Sequence, residues 1–295
     1  MTLQTAVRPR PERAELVVPA PGAGPGNWAG APSAAFVDGV PYLAYRVRQP
    51  ISEGRGVAVV VARSTDGVTF EPVGEVRREQ FGADSLERPA LVPLPDGRWR
   101  LYLSCATPGS KHWWIPMVES SRLESLGTAP SVVCLPGDEQ VAVKDPVVEK
   151  VAEGWRMWVC CHPLDVVGHE DRMTTRLAFS ADGVSWSRGV EVLAGRPGAW
   201  DSRGARVTTV VQEEPLTVMY DGRPRAEDNW FEQTGLATWD GARLVPVEEP
   251  PTGSPHSDGA LRYVSSVRLP GGGQRLYYEL ARPDGAHDLV TELVD

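Results

Sequence analysis

The sequence predicts an all-β fold, and three observations lead to that prediction. Short runs rich in β-branched and aromatic residues are separated by Asp-Gly or Gly-rich turns, which is typical of β-hairpins. Hairpins of this kind recur along the 295 residues at a nearly constant spacing. The helical period of 3.6 residues is hard to find in any segment of the chain.

The repeat is marked by an aromatic residue in the second apolar run of each hairpin. The five anchors are Tyr45, Tyr102, Trp158, Tyr220 and Tyr278, separated by 57, 56, 62 and 58 residues. Units of this length hold several strands each, so the repeat predicts a five-bladed β-propeller, with four-stranded antiparallel blades around a central funnel. A pair of β-sandwiches is the alternative, but it does not explain the regular spacing.

The repeat predicts a single propeller domain over residues 1–295, with blades near 27–80, 81–138, 139–198, 199–255 and 256–295. The last unit has room for only three strands. We expect the segment 14–19, which has strand character, to supply the fourth strand and close the ring. A second repeat, S-x-D-G-V-x-aromatic, occurs around Asp66 and Asp182 and predicts matching outer hairpins.

Composition restricts the classes of partner. The net charge of −9 argues against nucleic acid and anionic membranes, which attract basic surfaces. The N-terminus has no apolar signal region, and the four cysteines form no CxxC pair or metal spacing. We therefore expect a cytoplasmic protein without a cofactor or a bound metal, and the sequence leaves the oligomeric state open.

The candidate site consists of polar residues near the start of each inner strand and the far end of each second strand. Inner strands of a propeller converge on the central channel, so these residues are predicted to meet in one pocket. Carboxylate pairs can act as acid and base in glycoside cleavage, Trp faces stack on sugars, and Arg donates through a planar fork. The catalytic candidates are Glu87, Asp145, Asp201 and Asp221, and the substrate-binding candidates are Trp28, Arg46, Arg88, His112, Lys144, His162, Arg203, Arg206 and Arg223. The alternative is that these charges only pair with one another in salt bridges.

Short motifs resemble the five-bladed propeller glycosidases and glycoside phosphorylases, including arabinanases, xylosidases, β-fructosidases and β-mannoside phosphorylases. The "KDP" at 144–146 is similar to the Arg-Asp-Pro of β-fructosidases, in which the Asp holds substrate hydroxyls. The segments "PYLAYRVR" at 41–48 and "LERPALV" at 86–92 resemble mannoside phosphorylase segments, and 200–222 resembles their stretch leading to Tyr-His-Gly.

The chain departs from these families at the positions that carry their chemistry. Arg88 stands where the phosphorylases have their proton-donating Asp, and Asp221 stands where they have a phosphate-binding His. The segment "WAGAPS" at 28–33 has no carboxylate to match the base of arabinanases and fructosidases, and no Glu-Gly-Pro acid is evident.

The resemblance implies a carbohydrate-active, glycoside hydrolase-like enzyme that acts on a glycosidic bond and binds a small carbohydrate. The alternatives are a sugar-binding propeller without catalysis, and a phosphorylase or lyase with rebuilt chemistry on a small polyhydroxylated metabolite. We expect the acidic residues at the funnel to balance the arginines in a neutral network suited to polyols. A bound anion is the alternative source of that balance.

Overall fold

The structure is a computed structural model that describes residues 7–294 of the chain. Strands account for most of the regular structure, which confirms the all-β prediction. The strands are β1 (Glu15–Val18), β2 (Trp28–Val37), β3 (Val40–Arg48), β4 (Gly56–Ser64), β5 (Phe70–Arg77), β6 (Ala90–Pro93), β7 (Trp99–Tyr102), β8 (Cys105–Ala106), β9 (Trp113–Ser120), β10 (Ser131–Leu135), β11 (Val141–Val151), β12 (Gly154–Pro163), β13 (Thr174–Ser180), β14 (Val190–Leu193), β15 (Gly204–Glu213), β16 (Leu216–Arg223), β17 (Gln233–Trp239), β18 (Leu244–Pro246), β19 (Leu261–Arg268), β20 (Gln274–Ala281) and β21 (His287–Val294).

Helical structure within the described residues is limited to short 3-10 turns. They span Pro11–Arg13, Ile51–Glu53, Arg78–Phe81 and Leu123–Thr128. Over residues 7–294, no helix has the length and apolar character needed to cross a bilayer.

Backbone pairing arranges the strands into four sheets of eight, five, four and four strands. The eight-stranded sheet consists of two halves that meet at one parallel pair, Trp28 with His287. We therefore describe five strand groups. Group 1 is β2–β5, group 2 is β6–β10, group 3 is β11–β14, group 4 is β15–β18, and group 5 is β19–β21 with β1.

Apolar side chains fill the space between consecutive strand groups. Val59 of group 1 packs with Leu101 of group 2, and Tyr102 of group 2 shares a second cluster with Met157 of group 3. Further clusters join group 3 to group 4 and group 4 to group 5. A fifth cluster joins Tyr277 of group 5 to Leu43 of group 1. The five strand groups therefore contact one another in a closed cycle.

The first strands of the groups lie side by side in the same cyclic order, and β19 lies against β2. A hydroxyl group accepts a hydrogen bond from a first-strand backbone N–H across every junction between groups. The five bonds, N to O, are Leu91 to Ser33 at 2.9 Å, Asp145 to Ser104 at 2.8 Å, Val207 to Thr175 at 3.0 Å, Ser266 to Thr209 at 3.2 Å and Ala34 to Ser265 at 2.9 Å.

The five aromatic anchors are buried, and each lies in the second strand of its group. They are not equivalent, however. Tyr45, Tyr220 and Tyr278 pack toward the preceding group, whereas Tyr102 and Trp158 pack toward the following one. Successive side chains of a strand point to opposite faces, so an alignment that is one residue out of register moves an anchor to the other face.

The S-x-D-G segments form two turns of the same construction. Oδ1 of Asp66 accepts hydrogen bonds from the N–H groups of Val68 and Thr69, both at 2.8 Å. Oδ1 of Asp182 accepts the corresponding bonds from Val184 and Ser185 at the same distances. These bonds lower the pKa of both aspartates, to about 2 for Asp182. The sequence repeat thus encodes a local side-chain cap for each hairpin.

The predicted pairing of the N-terminal segment with the last unit is confirmed. Strand β1 runs antiparallel to β21, with Glu15 opposite Thr291 and Leu16 opposite Val290. Val17 and Val18 pack against the cluster that joins groups 5 and 1. The first strand of the described residues therefore completes the last strand group.

Deleting residues 1–19 should lower the thermal midpoint of the whole protein, because β21 would lose its outer partner and the junction of groups 5 and 1 would lose two valines. Thermal unfolding followed by circular dichroism measures this. The control is Leu16→Ser, since Leu16 is 54% exposed and should be tolerated. An unchanged midpoint in the truncated protein would contradict a closing role for β1.

Candidate functional site

Bulges near the starts of the first strands place the central side chains. Ala31, Asp145 and Tyr263 have φ values of 48°, 51° and 58° at corresponding bulges in β2, β11 and β19. A positive φ costs a non-glycine residue about 1–2 kcal/mol, so packing and hydrogen bonds must hold these positions. Lys144 and Asp145 therefore lie inside β11, in its bulge, and not before the strand as the sequence suggested. The bulge turns both side chains toward the centre of the protein.

A polar cavity lies where the five strand groups meet. It encloses about 380 Å³, including open solvent at its mouth. Its lining residues come from every group, and cations predominate among them. They are Trp28, Arg46, Arg55, Glu87, Lys144, His162, Met173, Arg206, Arg223, Asn229, Trp230, Glu232, Arg262 and Tyr263.

Arg206 is the centre of a buried hydrogen-bond network on one side of the cavity. Its Nη1 donates to Asp145 Oδ2 at 2.9 Å and to Tyr263 Oη at 3.0 Å. Its Nη2 donates to Asp221 Oδ2 at 2.8 Å. Asp221 also accepts hydrogen bonds from Thr234 Oγ1 and from the backbone N–H of Tyr263, both at 2.9 Å. This network links groups 3, 4 and 5.

A chain of alternating arginines and carboxylates forms the other side. Arg46 donates to Glu87 and, at 2.7 Å, to Glu279. Arg262 bridges Glu279 and Glu232, with both hydrogen bonds at 2.8 Å. Arg223 then donates to the other oxygen of Glu232 at 2.6 Å. Groups 1, 2, 4 and 5 are thereby connected through charge-assisted bonds.

Both carboxylates that line the cavity are held in the ionised form. Burial raises the pKa of Glu87, but Arg46 and Lys144 outweigh it and hold the value at about 2. Burial likewise opposes ionisation of Glu232, and Arg262 and Arg223 together bring its pKa far below the usual range. Burial raises the pKa of Asp221, which lies behind Arg206. The tyrosine of the cavity keeps its proton, because burial raises the pKa of Tyr263 well above 10.0.

Two tryptophans on the cavity differ in what their faces can do. Trp28 is 2% exposed and stacks on His287, with ring centroids 4.6 Å apart. The guanidinium of Arg48 lies 3.9 Å from the centroid of the same ring. Trp230 is 36% exposed. Trp230, and not the predicted Trp28, therefore offers an open aromatic surface.

Lys144 and His162 lie on the part of the wall formed by group 3. Lys144 Nζ is 4.4 Å from the centroid of Trp113 and 3.6 Å from Asp145 Oδ2. His162 Nδ1 donates to the carbonyl of Glu170 at 2.7 Å, which leaves Nε2 facing Cys160 Sγ at 3.5 Å. Burial and the nearby Lys144 lower the pKa of His162 to about 4, so the imidazole is neutral at physiological pH.

The structure places the thirteen predicted site residues in three positions. Those that line the cavity are Trp28, Arg46, Glu87, Lys144, His162, Arg206 and Arg223. Those that are buried behind its wall are Arg88, Asp145 and Asp221. Those that lie elsewhere are His112, Asp201 and Arg203.

The three residues that lie elsewhere have local partners. Asp201 accepts hydrogen bonds from Tyr220 Oη at 2.8 Å and from Arg196 Nε at 3.0 Å. Arg203 donates to the carboxylate of Asp171 at 2.6 and 2.8 Å, and His112 is bonded to Thr107 at 2.8 Å. Asp201 and Arg203 precede β15, which begins at Gly204, and neither lines the cavity, whereas Arg206 within the strand does.

Sequence reasoning missed several residues of the cavity. Tyr263 could have been found, because Arg262-Tyr263 occupies the place in β19 that Lys144-Asp145 occupies in β11. Trp230 and Glu232 lie in the loop between β16 and β17, where no periodicity identifies them. Arg55 precedes β4 and likewise carries no local signal.

No protein-family model matches the sequence, and no curated protein matches it at a significant level. Solved structures do match. The α-L-arabinofuranosidase from Lactobacillus brevis is 13% identical over 90% of each chain, with a TM-score of 0.67. The fold is that of the propeller glycosidases.

Two further structures extend the similarity. A GH43_1 enzyme from Xanthomonas citri, solved with xylose, is 14% identical over 95% of this chain and 89% of that chain, with a TM-score of 0.65. A structure from the GH130 family of mannoside phosphorylases is 14% identical over 100% of this chain and 94% of that chain, with a TM-score of 0.62. At these identities the resemblance predicted from short motifs is confirmed for the fold.

Replacing Arg206 by Met should cost roughly 3–5 kcal/mol of unfolding free energy, because two buried carboxylates lose their shared cation. The matched control is Arg203→Met, which removes a pair whose side chains are 20% and 16% exposed and should cost roughly 0–1 kcal/mol. Urea denaturation compares the two variants. Equal losses of unfolding free energy in the two variants would show that Arg206 does not stabilise the buried carboxylates.

Replacing His162 by Gln should flatten the acid limb of the stability profile. The folded pKa of about 4 lies below the ordinary 6.5, so between these values the unfolded chain binds the extra proton and the wild-type protein loses stability as the pH falls. Relative to the variant, the wild type should lose roughly 1–3 kcal/mol over this window. Urea midpoints of both proteins at neutral pH and near pH 4 measure this difference in stability. Parallel stability profiles of the wild type and the variant would contradict the lowered pKa of His162.

Proposed function

We propose that this protein is a carbohydrate-active enzyme that acts on a glycosidic bond in the central cavity. The observation that carries the proposal is the position of the cavity: it lies where all five strand groups converge, in a fold shared with glycosidases. The cavity offers donors and acceptors for hydroxyl groups and, in Trp230, an exposed aromatic face for a sugar ring.

The five strand groups are, in this proposal, the five blades of one propeller domain. Five cyclic interfaces and the hydroxyl bonds between first strands support this interpretation. The blades follow the sequence units near 27–80, 81–138, 139–198, 199–255 and 256–294, with β1 added to the last. The cavity is then the mouth of the central channel.

The chemistry must differ from that of a glycosidase with two carboxylates. Such an enzyme needs one protonated acid and one ionised carboxylate at the scissile bond. Glu87 and Glu232 are both ionised by their arginines, so either can serve as the base or nucleophile but neither as the acid. Tyr263 holds a proton at the cavity wall, and Arg206, 3.0 Å from its oxygen, would stabilise the phenolate. We assign the proton donation to Tyr263.

A second candidate, sugar binding without cleavage, is favoured by the same ion pairs. Glu87 and Glu232 lie on arginines that also hold the strand groups together. If the charges serve only to build the wall of the cavity, the site recognises hydroxyl groups and leaves the bond intact.

A panel of glycosides, with and without inorganic phosphate, separates the two functions. Product release by the wild type, reduced about 10²–10⁴-fold in Tyr263→Phe with binding retained, would support the proposed acid. Tyr42→Phe is the matched control, because Tyr42 packs on Trp99 outside the cavity. Binding of glycosides without any product would favour the second candidate, and an unaffected Tyr263→Phe would remove Tyr263 from the mechanism.

A further inference from the structure

The side chains around the cavity do not balance in charge. Six cations line it, and only Glu87 and Glu232 oppose them there. Three more carboxylates, Asp145, Asp221 and Glu279, and two more arginines, Arg48 and Arg88, lie buried directly behind the wall. Asp171 also lies 3.4 Å from Arg223 but is paired with Arg203 at 2.6 Å. Apart from that pair, eight cations face five carboxylates, and the neutral network expected from the sequence is not formed by the described residues.

Arg48 and Arg88 show where compensation is missing. Arg48 is 1% exposed and donates only to the carbonyl of Gly26, at 3.3 Å, while Nε and Nη2 have no partner in the described chain. Arg88 is 2% exposed and contacts the carbonyls of Thr208 and Val264, and its Nε and Nη1 likewise lack partners there. Burial lowers the pKa of both arginines to about 10.

The two cations at the mouth are also incompletely compensated. Arg55 and Lys144 lie over the ring of Trp113, at 5.6 and 4.4 Å from its centroid. Lys144 is 3.6 Å from Asp145, but the same carboxylate oxygen already accepts a hydrogen bond from Arg206 at 2.9 Å. Both cations line the cavity next to Glu87, so a ligand there meets an excess of donors.

We infer that the cavity binds a sugar or small polyol that carries an oxyanion group, either a carboxylate or a phosphate. Guanidinium and ammonium donors bind both groups through charge-assisted hydrogen bonds, and the bound charge would complete the compensation. The inference rests on the proposed carbohydrate function. The attraction acts at short range, because the whole chain carries a charge of −9 and does not steer anions from a distance.

Calorimetric titration of the full-length protein tests this. The probes are glucuronate, glucose 6-phosphate, glucose and inorganic phosphate, each at low and high ionic strength. We expect at least one of the two charged sugars to bind about tenfold or more tightly than glucose, with the advantage reduced by salt. Preference for glucuronate identifies a carboxylate ligand, and preference for glucose 6-phosphate identifies a phosphate ester.

Variants locate the anion. Arg55→Gln removes a mouth cation that is only half-buried, and should weaken binding of the charged sugar roughly tenfold while changing glucose binding little. Lys144→Gln is a second variant that should weaken binding of the charged sugar by a similar factor. The matched control is Arg63→Gln, which removes one positive charge from the exposed side of β4 and should leave both affinities unchanged.

The outcomes separate this inference from the proposed function. Equal binding of glucose and the charged sugars would overturn the inference and leave a carbohydrate site. Binding of inorganic phosphate without any sugar would overturn the carbohydrate ligand, and with it the inference. Absence of binding by all four probes would overturn both. Equal effects of Arg55→Gln and Arg63→Gln would show that the mouth of the cavity does not select the charge.

Discussion

The buried network of arginines and carboxylates at the centre is the constraint on which the rest of the structure depends. Arg206 joins Asp145 and Asp221, and Arg262 joins Glu279 and Glu232, so residues of separate strand groups are bonded where their first strands meet. Apolar packing fills the spaces between the groups further out but is not directional. The central ion pairs are directional. They therefore fix how the first strands face one another and keep the bulges in their left-handed conformation.

This construction limits what the site can do chemically. Glu87 and Glu232 are stabilised as anions by their arginines, so the pairs that hold the strand groups together deprive the cavity lining of a carboxylic acid. The related folds named above include glycosidases, yet the resemblance of the short motifs puts Arg88 and Asp221 where the phosphorylases have an acid and a histidine. The arginines and carboxylates that hold the strand groups together also line the cavity, and the hydroxyl of Tyr263 at the bulge of β19 keeps its proton.

The distribution of charge adds a second consequence. The chain as a whole is acidic, whereas its centre has more cations than carboxylates. The acidic surface repels anions only weakly through salt solution, and the inferred anion would be recognised through direct contacts in the cavity. Selectivity for a charged sugar would then come from the cations that line the mouth, Arg55 and Lys144, and not from long-range attraction.

The spacing of aromatic anchors and turns in the sequence determined the all-β repeat, the pairing of 14–19 with the last unit, and most of the cavity cations. Local periodicity and turn chemistry carry that information. The tertiary structure alone decided which side chains face the centre. Asp201 is bonded to Tyr220 and Arg203 to Asp171, outside the cavity. Asp145 lies in the bulge of β11 and is bonded to Arg206 behind the wall. Glu232 and Trp230 reach the cavity from a loop without a period. A register shift of one residue moves every side chain of a strand to the opposite face of the sheet. The direction of each side chain therefore follows from register and bulges, which only the folded sheets specify.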